Sequence, residues 1–216
     1  MRNPYIIDRP LDGQDLFFER ERELSALLET WERQERLVLL YGKPRIGKTS
    51  LLNQLLARCA GDTQMVIAPW PEDANGAGPL VDRLAAAVLR ALAETQFSSG
   101  APLAALRAWL EAGQEPRRRI AAVDGLSLAV CSGLDWPAAV QELDALLRGS
   151  PLLVVLAIEA RPEECRPVDP RLRQIVLGGF TLEDTEDLLL MPARGALTLD
   201  LDSMRRIYAL TGGEPY

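Results

Sequence analysis

The 216-residue chain is 48% hydrophobic and 25% charged, the size and balance of one globular α/β domain with a full core and room for the start of a second. It has no histidine, which excludes a Cys/His zinc site and a Ser-His-Asp triad, and its three scattered cysteines, Cys59, Cys131 and Cys165, read as free thiols rather than a disulfide framework. A net charge of −7 argues against a nucleic-acid surface, and no run nears the ~18 apolar residues of a membrane helix.

Residues 1–19 are polar and turn-rich, without the apolar core and cleavage site of a signal peptide, so a cytoplasmic setting is expected. "ERERELSALLETWERQER" carries Leu24, Leu27, Leu28 and Trp31 at helical spacing and predicts a helix. "RLVLLYG" is apolar on consecutive residues, as in a strand covered on both faces. "KTSLLNQLLARCA" predicts a second helix and "QMVIAPW" a second strand, stopped by Pro69 and Pro71. "PLVDRLAAAVLRALAETQ" and "APLAALRAWLEAG" are two more helices, the latter closed by Gly113. "RIAAVDGLSL" holds a short third strand, Ile120–Val123; the "RRR" at Arg117–Arg119 reads as its solvated entrance. "DWPAAVQELDALLRGS" is a helix capped by Asp135, with a proline in its first turn. "PLLVVLAIEA" and "RQIVLGG" are a fourth and a fifth strand, followed by "TLEDTEDLLLM" with a capping-box-like Thr181 and Asp184, and by a last helix in "LDSMRRIYALTGG". Strands that alternate with helices predict a parallel sheet wrapped on both sides.

Between the first strand and its helix, Gly42, Gly47, Lys48 and Thr49 fit the spacing G-x-x-x-x-G-K-S/T at every specified position. Such a turn converges backbone N–H groups on phosphate oxygens, and glycine permits the positive φ and the close approach. Lys48 is placed to reach β- and γ-phosphates, and Thr49 to offer a hydroxyl to Mg²⁺. The N-terminus of the following helix adds its partial positive charge. The nucleotide-binding stretch is thus Gly42, Lys43, Pro44, Arg45, Ile46, Gly47, Lys48, Thr49 and Ser50.

"NPYIIDRPLDGQDLFFERERELSALL" followed by "LLYGKPRIGKTSLLNQL" resembles the entry to bacterial and archaeal STAND-type, AAA-related P-loop ATPases, and the final "LTGGEPY" resembles their G-G-x-P lid motif. The resemblance spans nearly the whole chain. It implies a P-loop three-layer α/β sandwich with a parallel five-stranded sheet in the order 5-1-4-3-2. ATP or ADP and Mg²⁺ are the implied ligands. The core would run over 1–197 and the start of a helical lid over 198–216, the chain being a fragment or a short member. Phe18 and Arg20 match the helix-entry motif that encloses adenine, with Glu19 where glycine is usual; Gly213 and Pro215 match the lid motif. Read without the resemblance, Phe18 is plain core and Gly213 a helix stop.

The resemblance also places the family's second motif at the end of the third strand, making Asp124 the metal-side carboxylate together with Thr49; otherwise Asp124 caps a turn. Gly125 stands where the family has an acid that polarises the attacking water. Either Asp135 or Glu159 substitutes, or turnover is very slow. Arg161, after the fourth strand, matches a γ-phosphate sensor, or else it leads a loop. Lys48, Asp124 and Arg161 are therefore the expected catalytic set. The implied function is an ATP-binding, weakly hydrolysing signalling switch that self-associates or acts on an effector; the alternatives are an active motor or loader and a pseudo-ATPase scaffold.

Overall fold

The computed structural model describes residues 20–59, 63–71, 78–92, 101–112, 118–128, 135–165, 168–191 and 199–215. Phe18, Glu19, Gly113, Arg117 and Cys131 lie outside the described residues. Five strands form one sheet: β1 (Leu37–Gly42), β2 (Thr63–Pro69), β3 (Arg118–Ser127), β4 (Leu152–Glu159) and β5 (Arg173–Leu177). Their order is β2-β3-β4-β1-β5, and every pair is parallel, which is the expected 5-1-4-3-2 read from the other edge.

Seven helices connect the strands: α1 (Glu21–Glu32), α2 (Lys48–Arg58), α3 (Leu80–Ala91), α4 (Pro102–Glu111), α5 (Trp136–Leu147), α6 (Leu182–Leu190) and α7 (Leu201–Thr211). Their starts follow local chemistry. Asp135 accepts from the Ala138 N–H at 3.2 Å with Pro137 in the first turn, Thr181 and Asp184 form a reciprocal capping box, and Asp200 accepts from the Ser203 N–H at 2.7 Å.

The sheet separates two cores. Val38 and Leu40 of β1, Ile120 and Ala122 of β3, and Leu153, Val155 and Ala157 of β4 face α1 and α2. Leu37, Leu39 and Tyr41, Ala121 and Val123, and Leu152, Val154, Leu156 and Ile158 face α3, α4 and α5. This alternation follows the two-residue period of a strand, and burial of both faces explains why β1 and β4 read as unbroken apolar runs.

The third strand is longer than the sequence suggested. It begins at Arg118 and runs through Asp124 and Gly125 to Ser127. Aromatic rings hold its basic entrance: the Arg118 guanidinium lies 5.3 Å from the Trp31 ring centroid and that of Arg119 5.4 Å from Trp109. The ladder continues past Asp124 because a bulge absorbs one residue: Asp124 pairs with Ala157, Leu126 with Ile158, and Gly125 is skipped at φ +86°.

Candidate functional site

β1 ends at Gly42 in the middle of the sheet, flanked by β4 and β5, and the chain turns over its C-terminal edge into α2. Gly42 is packed so closely that an added Cβ would lie 2.6 Å from Ile46 Cγ2. Gly47 sits at φ +104° as the N-cap of α2, a conformation that glycine adopts without steric cost. Arg45 also takes a left-handed φ of +64°, with its side chain exposed. Together these conformations wrap residues 43–47 around the first turn of α2, where unpaired helix N–H groups point outward.

Lys48 is 5% exposed. Its Nζ donates to the carbonyls of Gly42 and Lys43, each at 2.8 Å, so the ammonium lies inside the turn. Burial pushes its pKa down, while the carboxylates of Glu159 and then Asp124 pull it back up. Thr49 Oγ1 donates to Asp124 Oδ2 at 2.5 Å, joining the second residue of α2 to the end of β3. A hydroxyl and a carboxylate oxygen side by side are hard donors of the kind Mg²⁺ takes beside nucleotide phosphates. Among the described residues no group of three or more His, Cys, Asp or Glu could hold a metal alone, which fits a cation held chiefly by its ligand.

The remaining site residues fall into two groups. Ser50 is buried in α2, Ile46 is buried in the core, and Pro44 is exposed on the turn. Arg161 is exposed after β4; its N–H donates to Glu164 and its carbonyl accepts from the Glu164 N–H, so it opens a short 3₁₀ turn (Pro162–Glu164). Asp135 is committed to its helix cap, whereas Glu159 ends β4 opposite Gly42 and Ser127.

A second set of contacts ties this turn to the end of the chain. Lys43 Nζ and Glu214 Oε1 form an ion pair at 2.6 Å. The Phe180 N–H donates to the Gly213 carbonyl at 2.8 Å, and a Cβ on Gly213 would lie 2.1 Å from the Phe180 carbonyl oxygen. Arg20, 6% exposed, donates to the Gly178 carbonyl at 2.7 Å and lies 4.3 Å from the Phe180 ring centroid. Arg20 therefore braces the turn after β5, and Gly212 and Gly213 close α7 against the same turn. Pro215 is half-buried beside them.

The AAA ATPase domain family matches residues 16–157, most of the chain. The chain belongs to that family. Solved structures place this AAA domain more finely among P-loop ATPases related to STAND proteins. It superposes on the Walker-type ATPase PABY2304 of Pyrococcus abyssi with a TM-score of 0.58 at 18% identity, covering 97% of this chain and 67% of that one. The Drosophila ORC solved bound to DNA gives 0.61 at 15% identity, covering 94% and 52%. The STAND protein PH0952 of Pyrococcus horikoshii, with its tetratricopeptide repeat sensor, gives 0.51 at 16%, covering 92% and 28%. The AAA domain thus spans from about two thirds down to about a quarter of these chains. No curated protein matches it.

The motif spacing pointed to the cradle of the AAA domain and the resemblance to its metal-side pair. The Lys43–Glu214 pair and the Arg20 brace were not anticipated. Both join segments more than 150 residues apart through exposed or backbone groups, and neither leaves a local pattern in the sequence.

Proposed function

We propose that this AAA domain binds ATP with Mg²⁺ and works as a nucleotide-dependent conformational switch with slow hydrolysis. One observation carries the reading: Lys48 and Glu214 grip the same residue. Lys48 donates to the Lys43 carbonyl at 2.8 Å, and the Lys43 side chain pairs with Glu214 in the lid segment at 2.6 Å. Phosphate oxygens are charged acceptors and hold an ammonium more strongly than carbonyls do. Phosphates in the cradle would draw Lys48 off the Gly42 and Lys43 carbonyls and free the peptide that carries the lid's partner.

The lid contacts suit a bistable element. An ion pair this exposed contributes about 0–1 kcal/mol, and the Phe180–Gly213 hydrogen bond about 1 kcal/mol. Typical coupling between sites is of similar size, about 1–3 kcal/mol. A nucleotide need only discriminate modestly between docked and undocked lids to move the balance.

Thr49 and Asp124 would hold Mg²⁺, which when bound neutralises phosphate charge. Phe18, Arg20 and Pro215 would enclose the base, and Arg161 would report the γ-phosphate. The lid would begin at about residue 198, with the core over 1–197. A motor is the weaker reading, because Gly125 supplies no acid beside Asp124. Although an ORC neighbour was solved on DNA, the net charge of −7 keeps DNA out of the proposed partners. A second copy of the chain or an effector protein in the cytoplasm fits the switch.

The test is hydrogen exchange over residues 201–215 with no nucleotide, with ADP and with ATP and Mg²⁺, alongside chemical identification of the bound nucleotide. ATP is expected to speed exchange relative to ADP. Equal exchange in all three conditions, with nucleotide demonstrably bound, refutes the switch.

A further inference from the structure

We propose that Glu159 is the general base for ATP hydrolysis in this chain, replacing the acid absent at Gly125. The inference rests on the reading of the cradle as an ATP site. β4 lies between β3, which carries Asp124, and β1, which ends at Gly42. Leu153, Val155 and Ala157 point to the α2 side of the sheet, so the pleat carries Glu159 to that same side. Ile120 and Ala122 do likewise on β3 and bring Asp124 to the α2 side. The register pairs Glu159 with Gly42 on one flank and Ser127 on the other, each one strand spacing of about 4.8 Å away. The next residue, Ala160, donates its N–H to the Gly42 carbonyl at 3.2 Å, the oxygen that also accepts from Lys48 Nζ. The carboxylate thus stands at the mouth of the cradle, between the phosphate turn and the metal-side acid.

Three further observations separate Glu159 from other choices. Of the carboxylates that act on the buried Lys48 ammonium, Glu159 acts more strongly than Asp124. Asp135 is occupied as the cap of α5. Gly125 is the residue skipped by the ladder and sits at φ +86°, a backbone conformation that L side chains rarely adopt. The bulge that removes position 125 from the pleat leaves the second acid to come from the neighbouring strand.

The step balances without any other reactant. The oxygen of water bonds to the terminal phosphorus, the bond from that phosphorus to the bridging oxygen breaks, and ADP leaves with those electrons. Glu159 takes the proton shed by the water and returns it to inorganic phosphate or solvent.

The experiment compares wild type, Glu159→Gln and Asp135→Asn in two measurements: equilibrium binding of ATP with Mg²⁺, and single-turnover phosphate release over a pH series. Glutamine keeps the shape and removes the base, so release should fall by ~10²–10⁴-fold while ATP affinity is kept or increased. The acid limb of the wild-type pH profile should vanish with it. Asp135→Asn should match wild type. Release at the wild-type rate from Glu159→Gln, a parallel loss of ATP affinity, or no release at all from ATP-loaded wild type each overturns the assignment while leaving the ATP site standing. Failure of wild type to bind ATP instead removes the reading beneath it.

Discussion

Gly212 and Gly213 offer a paired test of how the lid segment is held. Both have left-handed φ, +63° and +74°, so alanine at either costs about 1–2 kcal/mol in backbone conformation. They differ in surroundings. A Cβ on Gly212 meets nothing within 4 Å, whereas one on Gly213 lies 2.1 Å from the Phe180 carbonyl oxygen and 2.9 Å from its nitrogen. That nitrogen donates the 2.8 Å hydrogen bond to the Gly213 carbonyl, and relief of the clash must break it, at about 1 kcal/mol more. Undocking of α7 is the cheaper escape, because it relieves the clash without opening the sheet. Gly213→Ala should therefore lose about 2–3 kcal/mol of local protection, or ~30–150-fold faster amide exchange over 201–211, where Gly212→Ala loses about 1–2 kcal/mol. The melting temperature of the core should move less than that loss would imply if it were global, about 2–4 °C per kcal/mol for this size. Equal exchange in the two variants, or Gly213→Ala no faster than wild type, would refute the argument that close backbone approach at Phe180 docks the segment.

Lys48→Ala is expected to abolish ATP binding while the fold is retained, and micromolar affinity in that variant, measured by calorimetry, would contradict the cradle. Because burial lowers the Lys48 pKa and the charged form is the one that holds phosphate, ATP affinity should begin to fall with rising pH below the ordinary lysine range of about 10.4; a titration of Kd against pH shows whether it does. Arg161→Ala should narrow the preference for ATP over ADP, read as the ratio of the two Kd values; an unchanged ratio removes its sensor role. Asp169, held by Arg171 at 2.8 Å, has its pKa lowered to about 2, so it stabilises the fold above its unfolded value of about 3.9 and loses that contribution as pH falls through about 2. Asp169→Asn should flatten the acid limb of stability between those pH values, measured by denaturant unfolding.

The parts of the fold that the sequence made legible are those with local physical causes. β1 and β4 are apolar on both faces, the caps at Asp135 and Thr181 satisfy helix N–H groups within one turn, and the spacing of Gly42, Gly47, Lys48 and Thr49 is itself the geometry of a phosphate turn. The length of β3 was not legible, because a glycine after Asp124 reads as a stop and only the partner strand shows that it is a bulge. Nor could the sequence choose between Asp135 and Glu159 as the second carboxylate. That choice needed the strand order, which places β4 between the phosphate turn and Asp124 although the two strands are more than 100 residues apart in the chain. The grip of Glu214 on Lys43 joins opposite ends of the domain and became visible only in the assembled chain.

Gly125 is supernumerary: Asp124 and Leu126 already face successive residues of β4 without it. Excision of one residue from a buried strand ordinarily throws all that follows onto the wrong side. Here it would leave Leu126 still opposite Ile158, Ser127 still opposite Glu159, and both layers of oil undisturbed. The point just beyond the metal-side aspartate is thus a place where this strand can change length almost freely, while one residue earlier or later the same cut would turn the sheet inside out.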